Sequence, residues 1–81
     1  MTVDIYKSNI IIIDDDDDLR ETYFDLLVTE GFKNSFQAES GVKAVEMSKK
    51  QKFDLIISDL NMPEMDGIET IKKIKELQPN V

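Results

Sequence analysis

The chain is 81 residues long, with 17 acidic and 10 basic side chains, a net charge of -7 and 41% hydrophobic residues. That length holds one domain with a modest core, and the acidic balance excludes a nucleic-acid surface, which needs clustered Lys and Arg. The absence of Cys and His excludes disulfide frameworks, thiolate zinc sites, His-based triads and most transition-metal sites.

Asn9 to Ile13 ends in four isoleucines and reads as a strand at about 9–13, buried on both faces as in parallel sheets. Helical periodicity follows over about 16–30. Leu19, Tyr23, Leu26 and Leu27 share one face, aspartates sit at the positive end of the dipole, and Gly31 makes a left-handed stop. A weaker strand is expected at about 33–38, centred on Phe36. Ser40 then caps a helix over about 41–50 whose apolar signal comes from Val42, Ala44, Val45 and Met47. "FDLIIS" reads as another buried strand, at about 53–58. After the loop "DLNMPEM", Asp66 and Glu69 form a capping-box-like opening to a helix at about 66–77, and Pro79 stops it. Its apolar residues Ile68, Ile71, Ile74 and Leu77 are spaced by three, so they walk around the helix. Strand and helix alternate three times, which predicts an α/β fold with parallel strands.

Ligands in such sheets bind beyond the carboxyl ends of the strands. Asp14 and Asp15 close the first strand and Asp59 closes the third. Were those strands neighbours, three carboxylates would converge. Charged carboxylates held together repel one another, and a hard divalent cation offsets that. Mg²⁺ takes oxygen ligands, keeps several waters and needs only one or two carboxylates. A bare aspartate run is ordinarily a solvated face. Asp16, Asp17 and Asp18 fit that description as helix starters facing water, whereas the strand-end position and the matching Asp59 set Asp14 and Asp15 apart.

"IIIIDDDDDLRE" followed by "DLIISDLNMPEMDG" resembles the receiver domain of bacterial two-component response regulators. The stretch Asp59–Gly67 carries the family signature D-x-x-M-P-x-M-D-G in full, and the likeness runs from about residue 8 to 81. The resemblance implies the N-terminal (βα)3 part of a flavodoxin-like doubly wound parallel sheet, strand order 2-1-3, with residues 1–81 forming a partial receiver domain. It implies that Asp59 accepts a phosphoryl group from a phosphohistidine on a sensor histidine kinase or histidine phosphotransferase. It further implies a Mg²⁺ cofactor held directly by Asp15 and Asp59, through water by Asp14, and by the backbone carbonyl of Asn61. On this reading the chain is a phosphoacceptor signalling domain rather than an enzyme. Pro63 and Gly67 shape the loop, and Met62 and Met65 anchor it through apolar contacts.

The family runs to five strand-helix units, and this sequence reaches "LQPNV" after three. The Ser or Thr after the fourth strand and the Lys after the fifth, which bind phosphoryl oxygens in the family, fall outside it. None of the basic residues, Arg20 included, is expected at a strand tip. The 81 residues by themselves are therefore expected to phosphorylate poorly, because preorganised donors are often the largest catalytic term. They are also expected to pair through "FDLIIS" as an open edge, most simply as a two-fold dimer. Two rival readings stand beside this one. One is a haloacid dehalogenase-type phosphatase fragment using Asp14 and Asp16 as D-x-D, which leaves "DLNMPEMDG" without a role. The other is an inactive structural or interaction half-domain. No apolar run approaches the ~20 residues of a membrane span, and "MTVDIYKS" lacks the regions of a signal peptide. The expected setting is the cytoplasm, without membrane or direct nucleic-acid contact.

Overall fold

The four isoleucines of β1, Ile10–Ile13, are all buried, and the rest of the fold is arranged around them. A computed structural model describes residues 4–59 and 66–81. Within these, β1 is followed by α1 (Asp17–Thr29), β2 (Ser35–Ala38), α2 (Gly41–Lys50), β3 (Leu55–Ser58) and α3 (Gly67–Leu77). The sheet is parallel in the order β2-β1-β3, with Ile10 level with Ser35 and Leu55, and Ile13 level with Ala38 and Ser58. The α/β class and the strand order 2-1-3 are as the sequence and its resemblance imply.

Strand side chains alternate between faces. Ile11 and Ile13 enter a core with Ala38, Ala44, Phe53 and Ile74, beneath α2 and α3. Phe36 and Phe53 meet there edge to face at 5.7 Å. Ile10 and Ile12 alternate to the opposite face, and α1 packs against β2 and β1.

The element ends are set by local hydrogen bonds. Asp16 caps α1 by accepting from the Leu19 N–H at 3.1 Å. Ser40 caps α2 through Lys43 at 3.1 Å, and Asp66 caps α3 through Glu69 at 2.8 Å. At the far end of α1, Gly31 adopts φ 106°, and the Phe32 N–H reaches back to the Leu27 carbonyl at 2.9 Å, the pattern of a left-handed glycine stop. The strands β2 and β3 begin two residues later than 33 and 53. Asn34 is engaged with the Lys7 carbonyl, and the Phe53 N–H is engaged with the Gln78 side chain. A 3₁₀ turn at Ile5–Lys7, which periodicity did not predict, lays Tyr6 against Phe32 with ring centroids 5.0 Å apart.

Two burial expectations are corrected, those of β3 and α1. β3 is not buried on both faces: Leu55 and Ile57 are exposed while Ile56 packs on the core, because α1 lies over β2 and β1. On α1, Leu19, Tyr23 and Leu26 are exposed, and the partly buried positions are Arg20, Phe24 and Leu27. On α3 the apolar residues do walk around the helix: Ile74 is buried with Gly67 and Thr70, while Ile68 and Leu77 are exposed. Thr70 is accommodated because its hydroxyl donates to the Asp66 carbonyl at 2.8 Å. Val42 on α2 also faces out.

Candidate functional site

Because Ile13 and Ser58 are level in the sheet, the two chains leave β1 and β3 side by side. The Asp59 N–H donates to the Ile13 carbonyl at 3.0 Å, and the Asp14 N–H donates to the Ala38 carbonyl at 3.2 Å. Parallel pairing therefore continues one residue past each strand and fixes where both aspartates begin. Asp14 is buried, Asp59 is half-buried and Asp15 is exposed; one carboxylate oxygen from each lies within 4.8 Å of the others. The structure thus brings together Asp14, Asp15 and Asp59.

The remaining aspartates of the run do not join them. The chain turns sharply after β1, and the Asp16 N–H donates to Asp14 Oδ1 at 3.0 Å. Asp16 spends its own carboxylate on the α1 cap, while Asp17 and Asp18 fill the exposed first turn. A D-x-D site built on Asp14 and Asp16 is therefore not formed, which removes the phosphatase reading. Asn61, Met62, Pro63 and Met65 lie outside the described residues. Beside the carboxylates runs a groove of about 330 Å³ between α1 and β3, walled by Leu19, Tyr23 and Ile57 and ending at Asp14 and Asp59.

Sequence reasoning missed one residue. Arg20 is expected away from any strand tip, yet its guanidinium reaches the tip of β1. Nη1 donates to the Asp14 carbonyl at 2.8 Å, Nε to Gln37 Oε1 at 3.0 Å and Nη2 to Asp17 Oδ1 at 2.8 Å. The signal was available in its helical register with Phe24 and Leu27, which marks the inward face of α1.

The donor set suits a hard cation. It consists of carboxylate oxygens, with no nitrogen or sulfur. Mg²⁺ holds its ligands at about 2.1 Å, so opposed oxygens stand about 4 Å apart. Three oxygens within 4.8 Å are close to that spacing, and water can complete the shell.

With this geometry established, likeness to known proteins becomes informative. Residues 10–81 match the response regulator receiver domain. The chain is 44% identical over 68 residues to the chemotaxis protein CheY of Bacillus subtilis, an alignment covering 84% of this chain and 57% of that protein. It is 35% identical over 75 residues to sporulation initiation phosphotransferase F of the same organism, covering 93% and 60%. Among solved structures, Vibrio cholerae CheY4 superposes with a TM-score of 0.84 at 30% identity, over 90% of this chain and 60% of that one. The receiver domain of the hybrid histidine kinase CckA superposes at 0.79 and 30% identity, over 85% and 65%. The chain thus spans somewhat over half the length of these relatives. Fold, strand-end acids and the matched residues agree: the chain belongs to the response regulator receiver domain family.

Proposed function

We propose that the chain accepts a phosphoryl group on Asp59, as part of a two-component signalling protein. The observation that carries this reading is the convergence of the Asp14, Asp15 and Asp59 carboxylates at the tips of two adjacent parallel strands. An Asp59 carboxylate oxygen attacks phosphorus. The new O–P bond forms as the N–P bond of a phosphohistidine breaks, and its electron pair stays on the imidazole nitrogen.

Asp15 and Asp59 would hold Mg²⁺ directly, Asp14 would act through water, and the Asn61 carbonyl would supply a further oxygen. When bound, the ion offsets charge on the phosphoryl oxygens and helps hold the group in line. Asp14 is suited to an indirect part because Oδ1 already accepts from the Asp16 N–H. The partners on this reading are a sensor histidine kinase or histidine phosphotransferase. The chain is a relay component with no separate substrate, acting in the cytoplasm without direct nucleic-acid or membrane contact. Among the described residues, no helix is long and apolar enough to cross a membrane. Presented as 81 residues alone, the chain pairs with itself through β3.

The test is incubation of the protein with Mg²⁺ and a phosphorylated histidine phosphotransferase or a small phosphodonor, reading acid-labile label. Slow uptake by the 81 residues, short of the groups that hold the phosphoryl oxygens in the family, and its complete loss in Asp59→Asn are the expected results. Undiminished uptake in Asp59→Asn overturns the assignment, and no uptake by the unaltered protein supports an inert interaction module instead.

A further inference from the structure

We propose that Arg20 is a positioning residue, which fixes the turn that aims Asp15 into the carboxylate cluster. The inference rests on the metal-dependent reading of Asp14, Asp15 and Asp59 given above. Asp15 is exposed, so its direction must come from its backbone more than from packing. Both peptide planes beside it are held. The plane before it carries the Asp14 carbonyl, which accepts from Arg20 Nη1 at 2.8 Å. The plane after it carries the Asp16 N–H, which donates to Asp14 Oδ1 at 3.0 Å. Arg20 anchors its end of this arrangement to a second strand through Gln37 at 3.0 Å and to the first turn of α1 through Asp17 at 2.8 Å.

The fork of a guanidinium is needed to serve three acceptors at once; an ammonium on a flexible stem presents a single point. Arg20 is well placed for this, its side chain only 13% exposed against 80% for Asp17. Its charge is matched by Asp17, and its hydrogen bond to Gln37 lies on β2, on the opposite side of β1 from β3 and Asp59. Residues that orient metal ligands from behind typically change metal affinity by about 10- to 100-fold when lost.

Two effects of removing Arg20 have opposite signs. If the side chain acted only through space, a cation would be lost near a cation site, and Mg²⁺ would bind more tightly. If it positions the turn, Mg²⁺ binds more weakly. Mg²⁺ titration followed by the backbone amide resonances of Asp15 and Asp59 separates them. In Arg20→Gln the Mg²⁺ dissociation constant is expected to rise by about tenfold, and the Asp16 amide is expected to exchange faster with solvent. Arg20→Lys, which keeps the charge but not the fork, should fall between Arg20→Gln and the unaltered protein. Unchanged or tighter binding in a folded Arg20→Gln overturns the proposal. Should that variant not fold, Arg20→Lys decides: several-fold weaker binding supports positioning, and unaltered binding overturns it. If the unaltered protein takes up no Mg²⁺, the metal reading fails first and the positioning role falls with it.

Discussion

The backbone N–H of Asp59 donates to the carbonyl oxygen of Ile13 at 3.0 Å, one peptide before Asp14. This rung ties the register of the sheet to the geometry of the site, since Ile13 and Ser58 are already level. Side chains along a strand alternate, so moving the carboxylate by one residue sends it to the other face. The double variant Ser58→Asp with Asp59→Ser keeps the composition but turns the acid toward the side on which Ile56 meets the core. Its Mg²⁺ affinity is expected to fall by about tenfold or more, as far as in Asp59→Ala. Calorimetric titration checks this; an affinity near that of the unaltered protein would mean that the carboxylates act as a diffuse patch.

Within the aspartate run, position should matter more than charge. Asp15 belongs to the cluster of oxygens within 4.8 Å, while Asp18 lies in the exposed first turn of α1. Asp15→Ala is expected to weaken Mg²⁺ by about tenfold or more, and Asp18→Ala by less than about twofold at physiological ionic strength, where exposed charges are screened. The same titration at two salt concentrations is the check, and equal losses at both positions would contradict it.

The sheet and the cluster were readable in the chain because their signals are local. Four isoleucines ending in acid marked β1 and its tip, and "LIIS" ending at Asp59 marked β3. Ser40, Asp66 and Gly31 marked helix ends that the structure reproduces. What failed was the inference from apolar spacing to burial. Leu19, Tyr23 and Leu26 make a good helical stripe, yet α1 turns Arg20, Phe24 and Leu27 inward. Spacing identifies which residues share a face; which face is covered depends on the elements packed above it. Arg20 escaped for a related reason: a charged side chain is read as solvent-facing, whereas here each of its three nitrogens donates to a group of the fold, on β2, just past β1 and in the first turn of α1.

Gln78 offers a test of stability away from the site. Its Oε1 accepts from the Phe53 N–H at 2.7 Å, and its Nε2 donates to the Ser48 and Gln51 carbonyls at 2.9 and 2.6 Å. One side chain thus ties the end of α3 to the turn before β3. Removing it in Gln78→Ala leaves those groups without that partner, at a cost of about 1–3 kcal/mol. Gln78→Glu is nearly the same size but aims a carboxylate at two carbonyl oxygens, and is expected to cost more than the alanine. Thermal melts of the two variants rank them; a glutamate variant as stable as the unaltered protein would contradict the hydrogen-bond assignment.

The last prediction concerns β3. Among the described residues it is paired on one side only, to β1, so alternate N–H and C=O groups of Leu55–Ser58 point away from the sheet. The strand carries no charge and no proline, the devices that blunt natural edges. Leu55 and Ile57 are also exposed, Ile57 beside Leu19 and Tyr23, so joining two edges would cover apolar surface as well as complete hydrogen bonds. Presented as 81 residues alone, the chain is expected to associate in a concentration-dependent way, most simply as a two-fold pair with antiparallel β3 strands. Ile57→Lys places a charge on that surface without touching the core beneath α2 and α3, and is expected to shift the equilibrium toward monomer. Sedimentation of both proteins over a range of concentrations decides: a folded, monodisperse monomer of the unaltered 81 residues at every concentration refutes the edge pairing.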